Sequence, residues 1–317
     1  MKSLDKHKVV IVGTGMVGMS CAYALLNQSA CNELVLIDVN KERAMGEAMD
    51  LQHGLAFAPS SMKIYAGEYQ DCHDADLVMI AAGVAQQPGE SRLDLLQRNA
   101  EIFKKIVPQV VNSGFDGIFL VATNPVDIMT RVVYELSGFP AEKVIGSGTT
   151  LDTARLRYLI GQHFSLNPKN VHAYVIGEHG DSEFVPWSQA FLATKPILGI
   201  NSDKKYFDDL LKISEEVRTS AQVIIAAKRA TYYGIGMALT RIISAIFDDE
   251  NSVLTVSSYL NGEYGQKDVY IGVPSIVSRE GVWGVLELNL NDEESKLFAN
   301  SCETLRNSYK EINLKTE

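Results

Sequence analysis

The chain has 317 residues, room for about two domains of roughly 150 residues each. Hydrophobic residues make up 46% and charged residues 21%, ordinary proportions for a globular enzyme in water. A formal net charge of −10 would repel nucleic acid and anionic membranes, so neither is expected as a partner. Any anionic substrate must then be held by a few locally placed cations.

The first apolar run, 9–12, stops at Gly13 and is too short for a signal-peptide core or a membrane span. It is read as part of a strand at 8–12, with further strands at 33–37, 62–66, 77–81, 118–121 and 144–145. Helix-length amphipathic stretches alternate with them, which predicts a parallel sheet with crossover helices on both faces. After Gly146–Gly148 the pattern changes. A helix at about 152–163 leads to an apolar strand at 171–176, then to a long helical region at 204–247 with a break near 231–234. Strands at 253–259, 267–274 and 282–288, separated by Asn261-Gly262 and Glu280-Gly281 turns, predict an antiparallel meander. The last helix opens at Asn291, with Glu294 in capping-box position.

Cys21, Cys31, Cys72 and Cys302 form no C-x-x-C pair, so reduced thiols in a cytoplasmic protein are expected. His179 has Glu178 and Asp181 nearby but no second His or Cys at ligand spacing, so no metal is expected.

Gly13-Thr14-Gly15-Met16-Val17-Gly18 lies between the first strand and a helix expected at 19–27. Gly13 permits the tight turn, Gly15 lets a pyrophosphate approach bare backbone, and Gly18 allows close helix–sheet packing. The helix N-terminus then offers unpaired N–H groups to the phosphates. Asp38 ends the next strand, twenty residues beyond Gly18, where an adenosine ribose would present its hydroxyls. A carboxylate there would repel the 2′-phosphate of NADP, so the expected cofactor is NAD. The fold class is therefore α/β. A Rossmann-type, doubly wound parallel sheet over 1–146 binds NAD, and an α+β substrate domain with antiparallel strands follows over 147–317.

Several polar residues fall where a substrate would meet such a cofactor. Asp152 and Arg155 are three apart, so a helix puts them on one face, although alone such a pair is more readily a surface salt bridge. The Arg fork suits a carboxylate, with which it makes two parallel hydrogen bonds. His179, between Gly177 and Gly180 after an apolar strand, has the setting a general acid/base needs, but a lone histidine is more often structural. A buried carboxylate such as Asp152 would raise its pKa and make it a competent proton donor. The loop 85–92, containing Pro88-Gly89, follows a parallel strand, and its closure could bring Arg92 to a carbonyl and exclude water. Asn124 ends at the same sheet edge.

Together GTGMVG, LIDV, MDLQHG, QQPGESRLDLLQRN, VATNPVDI, GSGTTLDTARLR, YVIGEHGDSE, ATYYGIG and DVYIGVP resemble the lactate/malate dehydrogenase family, particularly its bacterial L-lactate branch. The match runs from about Lys8 to Arg306. The resemblance implies reversible NADH-dependent reduction of pyruvate to L-lactate. It makes His179 the proton donor/acceptor and Asp152 its partner. Arg155 would hold the substrate carboxylate, Arg92 would polarise the carbonyl, and Asn124 and Thr231 would line the substrate pocket. The cofactor set implied is Gly13, Gly15, Val17, Gly18, Asp38, Arg43, Gly83, Thr123, Asn124 and Ser147.

Malate enzymes of the family carry an arginine at the position of Gln86, to pair with the second carboxylate of oxaloacetate. A neutral Gln leaves that carboxylate unpaired, a penalty of about 2–5 kcal/mol, so pyruvate is favoured. Gly83-Val84-Ala85 reads more like the malate enzymes, which keeps malate or another L-2-hydroxy acid as the alternative. A non-catalytic dinucleotide-binding protein is the remote one. Arg157, about 200° around the helix from Arg155, cannot serve the same substrate. With His172 it matches the positions that bind fructose 1,6-bisphosphate in allosteric bacterial relatives, implying an effector that favours an active homotetramer.

Overall fold

The apolar runs of the first half are continuous rather than alternating, as strands buried on both faces require. In the computed structural model they are the centre of one sheet. The described residues are 7–84, 92–312 and 314, without the side chain of Arg92. The elements run β1 (Lys8–Val12), α1 (Met16–Gln28), β2 (Glu33–Ile37), α2 (Lys41–Gly54), β3 (Lys63–Ala66), β4 (Leu77–Ile80) and α3 (Arg92–Asn112). Then come β5 (Ile118–Val121), α4 (Val126–Ser137), β6 (Val144–Gly146), α5 (Thr150–Phe164), β7 (Val171–His172), β8 (Phe191–Leu192) and β9 (Lys195–Pro196). The chain closes with α6 (Lys204–Lys228), α7 (Tyr233–Phe247), β10 (Ser252–Asn261), β11 (Lys267–Ser278), β12 (Gly281–Val285) and α8 (Asp292–Lys310).

Strands β3-β2-β1-β4-β5-β6 pair in parallel in that spatial order, the doubly wound arrangement expected. The antiparallel strands β10, β11 and β12 continue the same sheet beyond β6, making nine strands in all. Alternate residues of each central strand serve opposite faces. Val10, Val12, Val78, Ile80, Phe119 and Val121 pack with Phe103 of α3 and Val133 of α4. Val9, Ile11, Leu77, Met79, Ile118 and Leu120 pack with Leu25 of α1 and Ile242 of α7. A third core joins Leu156 and Ile160 of α5 to Leu210 and Val217 of α6.

The helical region expected at 204–247 divides at 229–232, where Arg229 adopts a left-handed φ of 72° and ends α6. The meander appears with β10 and β11 longer than the pattern suggested and β12 shorter, ending at Val285. Asn291 caps α8 by accepting from the amides of Glu293 and Glu294, and Glu294 returns a bond to the Asn291 N–H.

The strand predicted at 171–176 forms only in part. Of 171–176 only Val171–His172 is strand; Ile176 and Gly177 make single bridges, to Phe184 and Gly272. The cause lies on α5 and just before it. The Thr153 hydroxyl accepts from Val175 N at 2.9 Å, and the Thr149 hydroxyl donates to Val175 O at 2.6 Å. With both backbone groups of Val175 taken by side chains, no ladder can run through it.

The turn from β1 into α1 leaves no room for side chains. Gly13 has φ +104°, and a Cβ there would meet Ala82 N at 2.5 Å; one on Gly18 would meet Gly13 O at 2.1 Å. Gly18→Ala must therefore push α1 away from the turn. It is expected to cost about 1–3 kcal/mol of stability and to weaken NADH binding at least about tenfold. Thermal denaturation and a fluorescence titration check this; wild-type values in both would refute the packing argument.

Candidate active site

The carboxyl ends of the parallel strands bring the expected cofactor residues to one edge of the sheet. A cavity of about 780 Å³ opens there, lined among others by Gly13, Gly15, Asp38, Arg43, Tyr69 and Gly83. A Cβ on Gly15 would meet nothing within 4 Å, so that backbone faces open space. Helix α1 begins at this point with no side-chain cap and no acidic residue in its first turn. Its N–H groups and positive dipole end are left for an anion, which fits a pyrophosphate.

Asp38 is held for its task. One of its oxygens accepts from Thr14 N at 2.8 Å and Thr14 Oγ1 at 2.9 Å, and the other accepts from Asn40 N at 2.9 Å. Burial opposes its ionisation, but these donors and Arg43 outweigh it and keep the carboxyl below the usual range. Arg43 is exposed on α2 and interacts with Glu47 at 3.8 Å. Thr123 is buried and donates to Ala82 O at 2.7 Å, while the Ser147 amide bonds to Val121 O at 2.9 Å. Asn99 ties the edge together: Val84 N donates to its side-chain oxygen, and its amide donates to Asn124 O, both at 2.9 Å. Val17 is half-buried on α1, and Asn124 is exposed before a cis bond to Pro125.

The second cluster centres on one carboxylate. Asp152, on α5, has a side chain only 2% exposed. One oxygen bonds His179 Nδ1 at 2.6 Å; the other accepts from Arg155 Nη1 at 2.8 Å. A carboxylate only accepts, so Nδ1 carries the hydrogen and Nε2 is the nitrogen left for a substrate. The Asp152 charge is the largest influence on His179 and, against burial, lifts the imidazole to about 9. Burial opposes ionisation of Asp152 itself, but the charge and N–H of His179, with Arg155, hold it below the usual range. The result is an ion pair with His179 protonated at neutral pH.

The segment carrying His179 is fastened from three sides. Asp127, at the start of α4, accepts from His179 N at 2.8 Å and from the Ser257 hydroxyl of β10 at 2.6 Å. Ser301 of α8 accepts from Glu178 N at 2.7 Å. Burial pushes the Asp127 carboxyl up to about 6 although both donors oppose it. The sequence assigned no role to Asp127, Ser257, Ser301, Thr14 or Asn99. Nor did it assign one to Glu183, whose carboxyl lies 4.0 Å from His179 Nδ1. An acid set in an apolar run, as in Val126-Asp127-Ile128-Met129 or Glu183-Phe184-Val185, was the available signal.

Other expected residues sit on other segments or on another side of α5. Thr231 is half-buried in the link between α6 and α7. Arg157 leaves α5 on another side, where its Nε donates to Ala173 O at 3.0 Å and its guanidinium lies 5.1 Å from the Tyr174 ring centre. His172 is exposed on β7 beside it. Gln86 lies outside the described residues; Arg92 opens α3, but its side chain is outside them too.

Residues 7–146 match the model of the lactate/malate dehydrogenase NAD binding domain, and residues 149–316 that of the alpha/beta C-terminal domain. The chain belongs to the lactate/malate dehydrogenase family. Its cofactor is NAD. L-lactate dehydrogenase 2 of Bacillus cereus (strain ZK / E33L) is 55% identical over 302 residues, 95% of this chain and 96% of that protein. L-lactate dehydrogenase 1 of Bacillus anthracis is 54% identical with the same coverage. The minor L-lactate dehydrogenase of Enterococcus mundtii, in its ligands-bound form, superposes with a TM-score of 0.95 at 48% identity. That match covers 98% of this chain and 99% of the other. The ligands-unbound form gives 0.91 at 46% identity, with all of both chains covered.

In this dehydrogenase the folded pKa of His179 lies above its unfolded value. The contribution of Asp152, whose folded pKa is lowered, is lost in acid. That of the charged His179 is thus complete below about pH 6.5 and is lost as pH rises through about 9. Asp152→Asn removes the charge that causes this. The His179 pKa, followed by imidazole C–H resonances, is expected to fall by at least about one unit, about 1.4 kcal/mol. An unchanged pKa would show that Asp152 does not govern it.

Proposed function

We propose that this family member is an L-lactate dehydrogenase, reducing pyruvate with NADH and oxidising L-lactate with NAD. The observation that carries the reading is the single buried carboxylate of Asp152, bonded to both His179 and Arg155. NADH supplies the hydride; the remaining tasks fall to the chain. Arg155 presents its fork to the substrate carboxylate, having spent one of its five N–H donors on Asp152. His179 gives its Nε2 proton to the carbonyl oxygen as charge develops there, and Asp152 holds the ring oriented through Nδ1. Arg92 polarises the carbonyl and Gln86 leaves no cation for a second carboxylate, while Asn124 and Thr231 border the substrate. Residues 1–146 hold the cofactor and 147–317 carry the acid/base chemistry. The relatives named L-lactate dehydrogenase support the choice of pyruvate.

The enzyme is further proposed to be a cytoplasmic homotetramer activated by fructose 1,6-bisphosphate through Arg157 and His172. Supporting this, Arg157 reaches the backbone next to His172, so one phosphate could meet both. The four buried, free cysteines suit a reducing compartment, and among the described residues no helix is long and apolar enough to cross a membrane.

His179→Asn is expected to lower kcat by at least about 10³-fold while NADH still binds, since only the proton donor is lost. Substantial turnover would remove His179 from its role. Across pyruvate, oxaloacetate and 2-ketoisocaproate, kcat/KM should favour pyruvate over oxaloacetate by at least about 30-fold; preference for oxaloacetate would make it a malate enzyme. Saturating fructose 1,6-bisphosphate should lower the pyruvate KM and raise the oligomer mass. No change in either, across pH and phosphate concentration, would exclude the effector.

A further inference from the structure

The acid/base cluster contains a second carboxyl that the mechanism above does not use. Glu183 has a side chain 6% exposed, with one oxygen 4.0 Å from His179 Nδ1. Its carboxyl, that of Asp152 and a ring nitrogen of His179 all lie within 4.8 Å of one another. Two carboxyls this close oppose each other's ionisation, so one of them keeps its proton to higher pH. Asp152 has the stronger hold on the negative charge, since His179 and Arg155 both donate to it. The proton therefore resides on Glu183.

The surroundings agree. The charged groups acting on Glu183 are Asp152 and Arg155 from α5 and His179 from its own segment. On its other side a groove of about 340 Å³ is lined by Trp187, by Ser214, Glu215 and Arg218 of α6, and by Leu297 of α8. Arg218 is paired with Glu215. Burial first, and the Asp152 charge second, push the Glu183 carboxyl up to about 8, close to the value for His179.

We propose that Glu183 is a positioning residue for keto-acid reduction: as a neutral acid it donates a hydrogen bond to Asp152, and substrate binding requires its proton as well as that of His179. Ionising it places a full negative charge beside the Asp152–Arg155 pair, where the substrate carboxylate must settle. Arg155 is then drawn towards the added charge, and the keto acid is repelled. The two protons belong to the cluster as a whole and leave in overlapping alkaline steps.

This inference rests on the proposed pyruvate reduction, and one experiment separates the two. The pyruvate KM is measured from pH 6 to 10 for the wild type and Glu183→Gln, which retains a donor but cannot ionise. With two protons required, the wild-type KM should steepen on the alkaline side towards about a hundredfold per pH unit, and that of E183Q should rise about tenfold per unit. A wild-type limit of tenfold, or the same slope in both proteins, overturns the proposal. A purely structural role would alter Tm or kcat in E183Q and leave the slope as it was. Failure to reduce pyruvate at any pH would instead remove the functional reading. Binding of oxamate, the amide isostere of pyruvate, to the NADH complex gives a count independent of turnover. Calorimetry in buffers of different ionisation enthalpy should show uptake approaching two protons at high pH for the wild type and one for E183Q; equal uptake also overturns the proposal.

Discussion

Everything in the acid/base half of this enzyme depends on one buried negative charge having two positive partners. Asp152 could not remain ionised at 2% exposure without the hydrogen bonds from His179 and Arg155. Remove either partner and the remaining pair must reorganise, because an uncompensated buried charge costs several kcal/mol. Much of the surrounding framework serves to keep these three groups in register. Asp127, Ser257 and Ser301 hold the backbone on either side of His179, while Thr149 and Thr153 tie α5 to Val175.

The cofactor half works by the opposite principle. Where the acid/base cluster is filled with reciprocal bonds, the β1–α1 turn is left open, with an uncapped helix N-terminus and a glycine facing empty space. One region satisfies its polar groups internally; the other keeps them for a ligand. Asp38 lies between these extremes, fixed by Thr14 and Asn40 on α1's side of the cavity yet only half-buried, so it is oriented and still accessible.

What the sequence made legible was what local spacing dictates. The glycine turn, the i,i+3 relation of Asp152 and Arg155, and the cap at Asn291 depend on residues a few positions apart, and each has its expected geometry. The parallel strands were equally plain, because burial on both faces leaves a continuous apolar run. The roles of Asp127 and Glu183 were not legible, since whether an acid is buried depends on what folds over it from elsewhere in the chain, as Ser257 does for Asp127. The strand expected at 171–176 failed for the same reason. Its apolar pattern was correct, but the groups that interrupt it are threonines of α5 and its approach. Gln86 and the side chain of Arg92, on which the substrate reading leans, lie outside the described residues.

Helix α5 carries more than its share of these contacts. Asp152 and Arg155 project on one side, Arg157 reaches Ala173 on another, and Thr153 grips Val175 between them. The helix thus works as an axle. A rotation of a few degrees would shift the acid/base carboxylate, the guanidinium fork and the backbone leading to His179 together, in fixed proportion. A site built this way cannot be mistuned one group at a time by motion of its scaffold; it is engaged or disengaged as a unit.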